Sequence, residues 1–166
     1  MIITESESTL LAATKYIAKG WAVMPVKPNS KEPHFDLIRN GHLSATKEID
    51  LVRFWLKMDP TLNLGISAVA SKLVILDVDF RNGGAISWDA SNTRIVRTPG
   101  GFHVYYRVNE DVRVKGELSQ GIDVKYKGYV VAPPSTINGV KYEVVNHESV
   151  KPLPKEIEEQ ICRIKL

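Results

Sequence analysis

Leu73-Val74-Ile75-Leu76-Asp77-Val78-Asp79-Phe80 is the stretch on which the reading of this chain turns. A run rich in Val, Ile and Leu reads as a buried strand, and side chains alternate faces along a strand, so Asp77 and Asp79 project to one side. Val74, Leu76, Val78 and Phe80 take the other. With a rise of about 3.3 Å per residue, the two acids sit about 6 to 7 Å apart at the backbone and repel unless something positive lies between them. A divalent cation answers that need. The pair also fits a plain strand end running into the loop Arg81-Asn82-Gly83-Gly84, because Asp-x-Asp alone is a weak signal.

Outward from this strand the chain mixes helices and strands. Thr4-Glu5-Ser6-Glu7 has capping-box spacing, and Leu10, Leu11, Thr14, Ile17 and Ala18 recur at helical intervals until Gly20, which predicts a helix over about 5–19. Trp21 to Val26 reads as a strand, followed by a loop to about residue 45. Thr46 is placed to cap a second helix, with Ile49, Leu51, Val52, Trp55 and Leu56 as its apolar face and Pro60 as its stop. Leu64 to Ser67 is a further strand, joined to the Asp77 strand by a hairpin or a crossover. Arg94–Arg97 and Phe102–Val108 pair around Thr98-Pro99-Gly100-Gly101, and 121–125, 129–132 and 141–145 supply more strands. Pro154 starts a last helix, with Ile157, Ile161 and Ile164 on one face. Trp21, Phe54 and Trp55 read as core, and Ala132-Pro133-Pro134-Ser135 as the exit from a strand. Most strands come late, which predicts an α+β or mixed α/β domain.

Composition narrows the class. The 166 residues suit one domain with a sizeable core, and 43% apolar with 25% charged residues is ordinary for a globular chain. The net charge of +3 permits a nucleic-acid partner without arguing for one. The single cysteine, Cys162, excludes an internal disulfide and any zinc site built on paired cysteines, and favours a reducing compartment. No apolar run approaches the roughly 18 residues that cross a bilayer. A cytoplasmic protein is expected.

Two further fragments carry chemistry. After Gly100-Gly101, alternation sets His103, Tyr105 and Arg107 on one face, and glycines let a backbone approach a phosphate that an imidazole can also grip. The same glycines fit a turn that needs positive φ, with a half-buried histidine after it. In Gly121-Ile122-Asp123-Val124-Lys125, Asp123 and Lys125 share a face. Asp123 could complete a metal site, and Lys125 and Lys127 could meet phosphate oxygens, although lysines near a turn are commonly solvated. Three carboxylates can hold two hard divalent ions while a histidine grips a triphosphate, which is the equipment of phosphoryl transfer.

The ordered set of fragments resembles the bifunctional primase-polymerase domains of the archaeo-eukaryotic primase superfamily, common in phages and plasmids. Its pieces are Tyr16 to Pro25, Lys31-Glu32-Pro33, Ala45-Thr46, Phe54-Trp55, Asn63 to Ile66, Leu76 to Asp79 with Asn82-Gly83-Gly84, Thr98 to Tyr106, and Gly121 to Lys125 leading into Gly128 to Ser135. The resemblance implies an α+β, two-lobed fold whose larger sheet, of the RNA-recognition-motif kind, carries the acids. Asp77, Asp79 and Asp123 would be catalytic metal ligands for two Mg2+ or Mn2+ ions, without zinc. His103, with Gly100, Gly101, Lys125 and Arg107, would meet the incoming nucleotide. The implied reaction is template-directed nucleotidyl transfer from nucleoside triphosphates on single-stranded or primed template DNA. The implied setting is the cytoplasm of a prokaryotic host, with a helicase or helical accessory domain as partner and no membrane. The span 1–166 reads as one catalytic domain, the N-terminal part of a larger replication protein. A metal-dependent nuclease or phosphohydrolase using the same acids, and a non-catalytic nucleic-acid-binding module, are the alternatives.

Overall fold

The computed structural model describes residues 2–165, with side chains as far as Cys162. The Thr4 hydroxyl accepts the Glu7 N–H at 3.1 Å and so caps helix α1 (Glu5–Ala18). Its buried face runs through Thr9, Ala13 and Tyr16 with Leu10 and Ile17 beside them, and Leu11 is exposed. Tyr16 sets that rotation: its ring stacks 5.7 Å from Trp21 and its hydroxyl donates to the Pro133 carbonyl at 2.6 Å. Strand β1 (Ala22–Val26) follows.

Helix α2 (Ile49–Met58) begins later than a Thr46 cap would place it. Thr46 is held instead in a backbone bridge with Val23, and Glu48 stands at the cap. Val52, Trp55 and Leu56 are buried, whereas Phe54 and Leu51 are exposed. Two residues on from Val52, Phe54 is rotated about 200° around the helix and faces solvent, so its reading as core was wrong.

The chain then runs through β2 (Asn63–Ser67), β3 (Leu73–Asp79), β4 (Ile95–Thr98), β5 (Gly101–Arg107), β6 (Val112–Val114), β7 (Glu117–Ser119), β8 (Ile122–Lys125) and β9 (Tyr129–Ala132). Short strands β10 (Thr136–Ile137), β11 (Val140–Lys141), β12 (Glu143–Asn146) and β13 (Lys151–Pro152) precede helix α3 (Lys155–Ile161) and strand β14 (Cys162–Lys165). The last helix therefore ends before Ile164, which belongs to a strand paired with β6 and whose side chain lies outside the described residues.

The fold is α+β. A smaller antiparallel sheet has the order β1-β2-β9, and a larger one the order β12-β4-β5-β3-β8-β7, with β13 parallel to β5 beyond the end of β4. Strands β2 and β3 lie in different sheets, joined by one 3-10 turn over Val69–Ser71, so neither is the other's hairpin partner. Leu73, Ile75, Val96 and Tyr105 on one face of the larger sheet share a core with the smaller sheet, α1 and α2. Val74, Leu76, Val78, Val104, Ile122 and Val124 on the other face pack with Ile157 and Ile161 of α3. Strands β3 and β5 at the centre of the larger sheet are thus apolar on both faces except where the first face runs out of core.

Candidate active site

That exit from the core creates the site. Along β3, Leu73 and Ile75 are buried, and Asp77 and Asp79 continue the same face into a cleft where nothing covers them fully. Asp77 pairs directly with His103 on β5 and with Asp123 on β8, and Asp123 in turn pairs with Glu117 on β7. Directly opposed residues in a sheet stand with Cβ atoms about 4.5 to 5.5 Å apart and share a face. His103, Asp77, Asp123 and Glu117 therefore form one lateral row across four adjacent strands. Asp79 lies one step further along β3, opposite Gly101.

Asp77 and Asp79 line both halves of the cleft. On one side, in a space of about 390 Å³, they face Lys31, His42, His103, Lys125, Lys127 and Tyr142. On the other, in about 620 Å³, they face Asp123, Glu117 and Arg81. The lysines thus stand on one side of the β3 acids, and the further carboxylates, with Arg81, on the other.

Asp77 Oδ1 stands 3.4 Å from His103 Nε2. Burial pushes the Asp77 carboxyl up, but His103, helped by Lys125 and Lys31, outweighs that and leaves it below its ordinary value. His103 is buried, and its Nδ1 has no hydrogen-bond partner among the described residues. Burial, then the charge of Asp77 and the ionisable phenol of Tyr105, pushes the Tyr142 phenol up to about 12, so it is a neutral donor at physiological pH. Asp79 is pinned by its own loop: the Arg81 N–H donates to Oδ1 at 3.0 Å and Asn82 Nδ2 to Oδ2 at 2.7 Å.

Glycines fix this loop to the strands beside it. A Cβ on Gly84 would collide with the Gly121 carbonyl, and one on Gly121 with Gly84 N, so the turn after Asp79 and the start of the Asp123 strand pack backbone to backbone. Asp79 N–H donates to the Gly121 carbonyl at 2.8 Å. Gly101 is needed for the same reason, since a Cβ there would meet the Val78 carbonyl. Neither Gly100 nor Gly101 has positive φ, and the Gly101 N–H is taken by Thr98 Oγ1 at 3.0 Å, so it is not free for a phosphate. Gly100 lines the cleft.

Of the residues named from the sequence, Asp77, Asp79, His103, Gly100 and Lys125 line one space, and Asp123 joins the two β3 acids in the other. Arg107 does not. It lies at the far end of β5, opposite Leu73, and donates to Asn109. Strand alternation places it correctly on the His103 face, but four residues of strand separate the two by about 13 Å.

Glu117, Lys31, His42 and Tyr142 were not assigned to the site from sequence. Lys31 arrives on the loop after β1, held by the Tyr129 hydroxyl, which donates to its carbonyl at 2.6 Å. Glu117 could have been found from the turn at Gln120-Gly121, which folds β7 back on β8.

The acids offer only carboxylate oxygens, which suit hard ions such as Mg2+ or Mn2+. Among the described residues no three acidic, histidine or cysteine groups already converge on one point. The acids line an open site, and that donor set fits such ions.

An α+β sheet whose cleft sets carboxylates against lysines belongs to the class of proteins suited to phosphate-bearing substrates. The chain belongs to the family described as "Bifunctional DNA primase/polymerase, N-terminal", whose model matches residues 13–156. Its activity is in general terms that of a primase/polymerase nucleotidyltransferase, with nucleotides and DNA as substrates. No curated protein matches the chain. Among the described residues no helix is long and apolar enough to cross a membrane.

Proposed function

We propose that the cleft carries out template-directed nucleotidyl transfer, in which a primer 3′-hydroxyl attacks the α-phosphate of a nucleoside triphosphate and pyrophosphate leaves. The observation that carries this reading is the row His103, Asp77 and Asp123 on three neighbouring strands, with Lys31, Lys125 and Lys127 lining the same space as Asp77 and His103. Asp77, Asp79 and Asp123 would hold two Mg2+ or Mn2+ ions, which when bound activate the attacking oxygen and neutralise the leaving group. The low proton affinity of Asp77 keeps its carboxylate charged at neutral pH, ready for that role. His103, beside it, holds the Asp77 carboxylate through Nε2 and lines the same cleft. Lys125 and Lys31 supply positive charge where a triphosphate tail would lie. The Tyr142 phenol remains protonated and can donate a hydrogen bond there.

Single-stranded or primed DNA as template, cooperation with a helicase or helical accessory domain, and a prokaryotic cytoplasmic setting belong to the same proposal. They are supported by the resemblance of the fragments to phage and plasmid members. The test is incorporation of labelled nucleotides on primed and unprimed single strands with Mg2+ or Mn2+, against Asp77→Ala with Asp79→Ala. Extension with pyrophosphate release, lost in the double variant while DNA binding survives, is expected. Equal activity in the double variant, or shortening of DNA without nucleotides, would overturn it; the latter would favour a nuclease.

A further inference from the structure

A guanidinium is costly to bury without a carboxylate. Arg94, just before β4, is 7% exposed, and it has no ion pair among the described residues. Its Cζ lies over three rings at once, 5.0 Å from Tyr105, 5.5 Å from Trp21 and 5.6 Å from Tyr16. Its Nη2 makes a long hydrogen bond, 3.4 Å, to the Tyr16 hydroxyl, and its Nε has no partner among the described residues. Cation–π contact accounts for where the guanidinium lies. It leaves the charge uncancelled.

The neighbours add to that charge. Lys19 Nζ sits 5.0 Å from the centroid of the same Trp21 ring. Burial first, then Arg94 and Lys15, hold the Lys19 ammonium below its ordinary value, so the three cations repel one another. Arg94, Lys15, Lys19 and His147 all line one open cleft of about 580 Å³, with Pro133 and Val144 among its apolar walls. No residue of this cleft lines the Asp77 cleft. Tyr105, two residues along β5 from His103, separates them.

We propose that Arg94, Lys15, Lys19 and His147 form a second phosphate site, which holds the backbone of a single-stranded nucleic acid away from the catalytic cleft. Three cations, Arg94, Lys15 and Lys19, line this cleft with no acid among its lining residues, which matches a repeated anion, and the packed guanidinium holds one of those charges in a fixed place. The anion site stands on its own geometry. That its anion belongs to a nucleic-acid strand rests on the nucleotidyl-transfer reading.

The test is fluorescence anisotropy of a labelled oligodeoxythymidine across a salt series, without nucleotide or divalent ion. Its result is therefore independent of whether the protein incorporates nucleotides. Lys15→Ala with Lys19→Ala, both on the exposed surface of α1 and its end, is expected to weaken binding about tenfold at low salt. The slope of log K against log salt should fall by about 1.4, since each lost single-strand phosphate contact is worth about 0.7. Arg94→Gln should move both the same way and Arg94→Lys less; should Arg94→Gln fail to fold, the lysine pair decides. Unchanged affinity and slope in the lysine pair would overturn the proposal. So would inorganic phosphate shifting the Trp21 indole N–H resonance while that variant binds the oligonucleotide normally, which would mark a free-phosphate site. Displacement of the oligonucleotide by polyglutamate as readily as by polyphosphate would overturn it in favour of an acidic peptide.

Discussion

Asp77 and His103 are directly opposed on adjacent antiparallel strands, and their side chains meet at 3.4 Å between Oδ1 and Nε2. One contact thereby ties a partly buried carboxylate to the imidazole that favours its charged form. Burial acts against the charged form of Asp77, and His103 more than offsets it. Replacing the imidazole by an amide, His103→Gln, should raise the Asp77 pKa, because burial then meets only Lys125 and Lys31. The 13C resonance of the Asp77 carboxyl followed with pH would check this, and an unchanged or lower midpoint would refute the coupling.

The same shift has a stability consequence. A carboxyl depressed in the folded protein adds stability above its unfolded value, about 3.9 for aspartate, and that stability is lost as pH falls through the lower folded value. Asp77→Asn should therefore flatten the loss of Tm on acidification below about pH 4, measured by circular dichroism melts.

Within the carboxylate row the members should differ in weight. Asp77→Ala, Asp79→Ala and Asp123→Ala remove proposed ion ligands and should each lower incorporation by more than about a hundredfold, the upper range for groups that only support a metal ligand. Glu117→Gln, on the outer strand of the row, should cost about tenfold to a hundredfold. Single-turnover extension of a primed template would rank them.

On the basic wall, Lys31→Ala and Lys125→Ala should raise the nucleotide KM by about tenfold or more, from the roughly 1.5 to 3 kcal/mol of a charged hydrogen bond. Arg107→Ala should leave KM unchanged, since it lies at the opposite end of β5. A steady-state nucleotide titration separates the two classes.

Packing makes a sharper prediction about glycines and aromatic residues. Gly101→Ala and Gly84→Ala, whose added Cβ would run into backbone carbonyls, should destabilise by about 3 kcal/mol or more, whereas Gly116→Ala, with open space around it, should not. Trp55→Ala should cost about 3 to 5 kcal/mol and Phe54→Ala under about 0.5. Urea unfolding measures each.

Local pattern made much of this legible. The apolar run through Asp79, the alternation of 103–107 and 122–125, and the caps and breakers at Thr4, Gly20 and Pro60 depend on near neighbours, so strands and faces could be read directly. Phe54 was misread because a paired aromatic run looks like core until the helix's rotation is known. Arg107 was misjudged because alternation gives a face and not a position along it.

The sequence by itself determined which face Asp77, Asp79, His103, Asp123 and Lys125 would occupy, because a side chain's face follows from the period of its own strand. Only the tertiary structure decided which of them meet. Strand order put β5 and β8 on either side of β3, brought Glu117, Lys31, His42 and Tyr142 into the cleft, and packed Arg94 among three rings from distant segments. Those neighbours are set by register and by contacts between residues far apart in the chain, which no local period encodes.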